Sequence, residues 1–178
     1  GDDAAMMLRT LMALAKVDGR VCAFLEPIAL YMTKDLYEAG DGQWQFDYPA
    51  PDQAMTLGEG RIYNDAANDL VVFTFGNGVP MALRAARTIE AELKWKVRVV
   101  DLRWLAPLND AFIAAQAKTA KRILVLDEGR KSAGVGEGVI TAIVEGGCGA
   151  TPIKRVVGAD TFTPLAGAAL LVLPGEAD

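Results

Sequence analysis

The residues best placed for chemistry are Asp127 and Glu128, a carboxylate pair closing the apolar run 122–127. Adjacent acids at a strand end can have their pKa values pushed apart, so that one holds a proton while the other accepts one. The same residues suit a cap on a following helix N-terminus or a subunit contact. That use is favoured, because no other polar group in the sequence converges on them. Three glycine clusters are the other candidates. Gly76-Asn77-Gly78 opens like a dinucleotide fingerprint, but Met81 stands where the third glycine must allow close helix packing. Gly134-Val135-Gly136 departs from the pattern in the same way at Val139, and Gly129-Arg130-Lys131-Ser132 has Arg130 where a phosphate loop needs glycine. These glycines read as tight strand-to-helix turns. No residue is assigned to a cofactor or a metal.

The residue types that are missing exclude whole classes of reaction. Among 178 residues there is no His, so the chain itself holds no Ser-His-Asp or Cys-His nucleophile and no His base or metal ligand. Cys22 and Cys148 form no C-x-x-C pair, which leaves zinc and thioredoxin-type chemistry unsupported and suits a reducing, cytoplasmic setting. Trp44, Trp95 and Trp104 read as packing or interface residues, and Arg130-Lys131 and Lys154-Arg155 as solvated basic pairs. A net charge of −5 and a pI near 4.8 argue against a nucleic-acid or anionic-membrane surface. No signal peptide or membrane span is visible, so neither partner is expected.

Such residues must be positioned by elements, and the elements repeat. Apolar, β-rich runs begin at Leu70, Val97, Arg122 and Ile153, spaced by 27, 25 and 31 residues. Each gap holds a helical pattern. Over 79–93, Val79, Ala82, Leu83, Ala86, Ile89 and Leu93 share one face; Asn109-Asp110 caps a second helix over 111–117; a third spans 134–145. This alternation predicts stacked right-handed βαβ units and a mainly parallel sheet with helices on both faces. The first part differs. Residues 1–66 carry five basic and eleven acidic side chains, against thirteen and twelve in 67–178, and a Gly- and Pro-containing stretch at 41–52 reads as a linker. A boundary is placed between 56 and 69. Before it stand a well-buried helix over 4–15 and an interior strand over 21–25. One helix and one strand cannot close a core, so 1–66 reads as the tail of a domain, and the opening without Met as that of a piece of a longer chain.

Four segments occur in the order of one family: Phe24-Leu25-Glu26-Pro27 with Ala29-Leu30-Tyr31, then Asp101-Leu102-Arg103-Trp104-Leu105-Ala106-Pro107-Leu108, then Asp127-Glu128-Gly129 with Gly134-Val135-Gly136, then Val157-Gly158-Ala159-Asp160-Thr161 with Pro164. Across nearly its whole length the chain resembles the C-terminal half of the beta subunit, or of a beta-like region in a fused chain, of the thiamine diphosphate-dependent decarboxylase component of 2-oxo acid dehydrogenase complexes. The resemblance implies a three-layer α/β/α sandwich of the transketolase C-terminal type over 67–178, preceded over 1–60 by the closing part of a pyrimidine-binding α/β domain. It implies pyruvate- or branched-chain-type oxidoreductase chemistry in the parent enzyme, with thiamine diphosphate and magnesium held elsewhere and neither bound by this chain alone. The implied role here is assembly: contact with an alpha subunit or upstream region, a beta-beta dimer, and docking of the subunit-binding domain of the acyltransferase core. The alternatives are a transketolase or deoxyxylulose phosphate synthase relative, and a non-catalytic α/β interaction module.

Overall fold

A computed structural model describes residues 2–176 and Asp178. The chain divides into two compact units, Gly1–Glu59 and Gly60–Asp178.

In the first unit, helix α1 spans Asp2–Val17, with Asp2 and Asp3 at its positive end and Lys16 in its last turn. The loop 48–55 is strapped to this helix by polar contacts. The Arg9 guanidinium donates to the carbonyls of Ala50 (2.5 Å), Gln53 (2.6 Å) and Pro49 (3.2 Å) and lies over the Tyr48 ring, while the Thr10 hydroxyl donates to the Met55 carbonyl. A second knot needs two carboxylates. Asp41 accepts backbone N–H groups from Leu36, Tyr37, Glu38 and Gln43, and Asp35 accepts those of Gly40 and Gly42. Burial pushes the Asp41 carboxyl up, but the four N–H donors outweigh it and hold the group well below the usual carboxylate range. Leu36 and Met55 are the large apolar residues buried in this unit.

Two sequence expectations are corrected here. The helix over 4–15 forms, yet it buries no residue. Residues 21–25 are not a strand: no ladder partner is present among the described residues, and Val21 and Leu25 stand 103% and 75% exposed. Local apolar content favoured a strand, but a strand exists only where a neighbour completes its hydrogen bonds.

The second unit is built on a five-stranded sheet. Its elements run β1 (Arg61–Tyr63), β2 (Leu70–Thr74), α2 (Gly78–Leu93), β3 (Val97–Asp101), α3 (Asp110–Ala117), β4 (Ile123–Arg130), α4 (Val135–Ile143) and β5 (Ile153–Gly158), with a π-type turn at Val144–Cys148 and a 3₁₀ turn at Ala166–Leu171. The strand order is β1-β3-β2-β4-β5, parallel except for β1, which runs antiparallel to β3. The sequence reading did not anticipate β1, whose three residues are too few to show a period.

Alternation along the strands sorts the core into layers. Val71, Phe73, Val100, Leu102, Ile123 and Val125 join Ile113 and Ala117 of α3 and Val139, Ala142 and Ile143 of α4 in one cluster. The alternate residues Val72, Thr74, Val97, Val99 and Leu126 lie on the other face, which α2 covers with Val79, Ala82 and Leu83. Right-handed crossovers require this split, since β2-to-β3 steps one way along the sheet while β3-to-β4 and β4-to-β5 step the other. The result is the α/β/α sandwich with a mainly parallel sheet. Polar ties fix its lower edge. Asp69 accepts the Lys96 backbone N–H (2.9 Å) and the Lys121 ammonium (2.7 Å), joining the approaches to β3 and β4 just before β2.

Candidate functional site at the strand ends

The place to look for a ligand in such a sheet is the crevice beyond the carboxyl ends of the strands where the winding direction reverses. Here it lies between β2 and β4, and it is where the structure puts Asp127, Glu128 and the Gly76-Asn77-Gly78 turn.

The two acids point to opposite faces of the sheet, because both belong to β4, which continues to Arg130. Asp127 is 2% exposed on the α4 side. Its Oδ1 accepts the Gly129 N–H at 2.7 Å and its Oδ2 accepts the Gly136 N–H at 2.8 Å, so one carboxylate ties the strand end to the first turn of α4, where the helix field favours a negative charge. The glycines make room for it. A Cβ on Gly129, Gly134 or Gly136 would come within 2.9, 2.8 and 3.3 Å of the Asp127 carboxylate oxygens. Glu128 lies on the α2 side, half-buried, accepting the Asn77 amide at 3.0 Å. Burial pushes its carboxyl up, the Asn77 bond opposes that, and the neighbouring charge of Asp127 adds to the rise; the net effect is a raised pKa.

These geometries describe staples, not a cooperating acid–base pair. The sequence places Asn77, the partner of Glu128, only within a turn. The glycine spacing after Asp127, at 129, 134 and 136, was the available signal for a buried carboxylate turning a strand into a helix. Gly78 has a parallel role: a Cβ there would lie 2.0 Å from Thr74 Oγ1, so α2 can approach β2 only through glycine.

A cofactor would need other donors. Both Asp127 oxygens are engaged by backbone N–H groups and Glu128 by Asn77, and no group of three or more His, Cys, Asp or Glu able to hold a metal exists among the described residues. The strand-end residues therefore do not fit a diphosphate–magnesium site. Elsewhere, Arg98 is a buried cation of β3. It donates to Gln116 Oε1 and Thr119 Oγ1 (both 3.0 Å) and to the Asp65 carbonyl, locking the turn after β1 against α3. Ser132 donates to Asp160 through its N–H and hydroxyl (2.7 Å for the latter), and Arg155 reaches the Lys131 carbonyl. Trp95 stacks under Arg122, with the guanidinium 4.0 Å from the ring centroid; Trp44 meets Phe46 edge-on; Trp104 is buried. All three Trp residues serve packing. A shallow groove of about 430 Å³ lies between β5 and the C-terminal segment, lined by Arg155, Val157, Ala159, Leu171 and Pro174 among others. Near it, Phe162, Leu165, Leu170 and Leu171 are all at least 80% exposed.

The fold is a mainly parallel α/β/α domain in which Asp127 is bonded to the backbone of its own strand-to-helix turn and Glu128 to Asn77. The family profile described as transketolase, C-terminal domain, matches residues 58–175, and the chain belongs to that family. It is 39% identical over 112 residues to the 3-methyl-2-oxobutanoate dehydrogenase subunit beta of Mycobacterium tuberculosis, covering 62% of this chain and 32% of that protein. It is 29% identical over 134 residues to the pyruvate dehydrogenase E1 component subunit beta of Staphylococcus aureus, covering 74% and 41%. The chain thus spans about a third to two fifths of the length of these relatives. Among solved structures it is similar to a split-gene transketolase described as an inactive beta4 tetramer, with a TM-score of 0.56 and 25% identity over 65% of this chain and 37% of the other.

Proposed function

We propose that these residues are the C-terminal part of the beta subunit, or of a beta-like region in a fused chain, of a 2-oxo acid dehydrogenase decarboxylase component of the pyruvate or branched-chain type. The observation that carries this reading is the identity to two dehydrogenase beta subunits, over 112 and 134 residues. Thiamine diphosphate and magnesium belong to the parent enzyme and are held by residues outside this chain, in keeping with the committed roles of Asp127 and Glu128. The contribution of this chain is assembly. The exposed Phe162, Leu165, Leu170 and Leu171 are available for a beta-beta contact, and the same domain offers the surface for an alpha subunit and for the subunit-binding domain of the acyltransferase core. Two unpaired cysteines accord with a cytoplasmic setting. Residues 1–60 are the closing part of a pyrimidine-binding domain.

The test is exchange within a known enzyme. The corresponding part of the Mycobacterium tuberculosis beta subunit is replaced by residues 60–178, and the hybrid is purified with its alpha subunit and assayed for decarboxylation of 3-methyl-2-oxobutanoate. Assembly with retained turnover is the expected result; a hybrid that folds but does not bind the alpha subunit removes the reading. The likeness to the split-gene transketolase favours a second reading, a transketolase-type parent. A hybrid of that enzyme that assembles, beside a dehydrogenase hybrid that does not, would select it.

A further inference from the structure

Ser132 is the one serine among the 178 residues, and it sits in the loop that leaves β4, directly after Arg130 and Lys131. All three residues are exposed. The loop is held in shape by other groups: the Arg130 guanidinium donates to the Ser132 carbonyl, Arg155 of β5 donates to the Lys131 carbonyl, and the Ala133 N–H donates to Glu137, each at 3.1 Å. The Ser132 hydroxyl stands outside that frame. It donates to Asp160 Oδ2 at 2.7 Å, beside the Ser132 N–H bond to Oδ1 at 3.2 Å. Ser132 thus ties the loop to the turn after β5, where the Thr161 N–H donates to the Ala159 carbonyl and the Ala159 N–H to that of Val172. Arg130 lies over the Phe162 ring of the same turn, 6.0 Å from its centroid. The other hydroxyls that follow a basic residue are placed differently. Thr10 is bonded to the Met55 carbonyl and Thr119 to Arg98, and Thr88 lies within α2.

We infer that Ser132 is a phosphorylation site whose modification releases the turn 159–162 from the loop between β4 and α4. The two cations before the hydroxyl present a positive approach to the acidic cleft of a protein kinase that selects basic residues, and an exposed loop can enter such a cleft where a helix cannot. In the step itself, Oγ attacks the γ-phosphorus of a nucleoside triphosphate, the bond from that phosphorus to the bridging oxygen breaks, the nucleoside diphosphate leaves, and the hydroxyl proton passes to a base of the kinase. The product carries a charge of about −1.5 to −2 at pH 7 where a hydroxyl donor stood. It no longer offers Asp160 the hydroxyl proton and repels its carboxylate. Arg130, Lys131 and Arg155 surround the loop and hold the phosphoryl oxygens in its place. The loop therefore keeps partners of opposite charge while the turn loses its tie. The inference stands on this loop and not on which reaction the parent enzyme performs.

The 178-residue chain is incubated with a basophilic Ser/Thr protein kinase, magnesium and ATP, beside its Ser132→Ala variant. Because the sequence has one serine, phosphoserine in an acid hydrolysate can come only from this position, and peptide mass spectrometry places it. Incorporation at Ser132, absent from the variant, is the expected result. Hydrogen exchange then compares the two forms of the chain: amides 159–162 exchange at least about ten-fold faster after phosphorylation, while those of α4 keep their rate. In an Asp160→Asn background the carboxylate is gone, and phosphorylation changes the exchange of 159–162 by less than about two-fold. Phosphate confined to threonines, no phosphate at all, or a phosphorylated Ser132 with 159–162 unchanged each overturns the inference. So does an equal acceleration in the Asp160→Asn chain.

Discussion

At the scale of single residues, the two adjacent acids separate into unlike roles because a strand sends neighbours to opposite faces. Asp127→Ala leaves the buried N–H groups of Gly129 and Gly136 without their acceptor and is expected to cost about 3 kcal/mol, measured by denaturant unfolding. Glu128 behaves in the opposite sense. Its folded pKa is raised, so its protonated form is the one the fold prefers, and the stability it contributes is present below the unfolded pKa and is lost as pH rises through the folded one. Glu128→Gln keeps an acceptor for Asn77 without the charge, so the variant is more stable than the parent at pH 7 and the difference vanishes towards pH 4; thermal melts across that range check it. Residue types alone made this pair visible, but not its use. The run 122–127 was cut one residue before Glu128, and only the continuation of β4 to Arg130 makes the opposite orientation evident.

At the scale of elements, the helices and parallel strands of the second unit were legible because the strands are continuous apolar runs recurring every 25 to 31 residues, α2 carries a 3.6-residue period, and α3 is capped by an Asn109 side chain that accepts the Phe112 N–H at 3.0 Å. What escaped were elements defined by someone else's atoms. β1 exists through its antiparallel pairing with β3, and the segment 21–25 lacks the pairing its composition invites. The junction of β2 with α2 adds a packing condition that no period contains. Gly78→Ala forces a methyl against Thr74 Oγ1 and is expected to destabilise by about 2 kcal/mol. In a Thr74→Ala background the same substitution costs measurably less, and a double-mutant cycle by calorimetry reads the difference. Equal costs in both backgrounds would mean that the close approach does not set the price of the methyl.

At the scale of the whole molecule, every member of the main hydrophobic cluster lies between Val71 and Cys148, inside the second unit. Removal of residues 1–59 should therefore shift its thermal midpoint by no more than about 5 °C, the equivalent of about 1 kcal/mol, followed by near-ultraviolet circular dichroism. A loss of cooperative melting would mean that the core is not self-sufficient. The charge asymmetry seen in the sequence follows the same division, the acidic excess lying in the part whose carboxylates Asp35 and Asp41 bind their own backbone. The Asn77–Glu128 bond lies at the strand ends between β2 and β4, where a doubly wound sheet ordinarily receives a guest. With that pair engaged across the strand ends, variants at Asn77 and Glu128 are expected to act on stability, and any variant that alters assembly without altering stability to map to the exposed loops and edges of the domain.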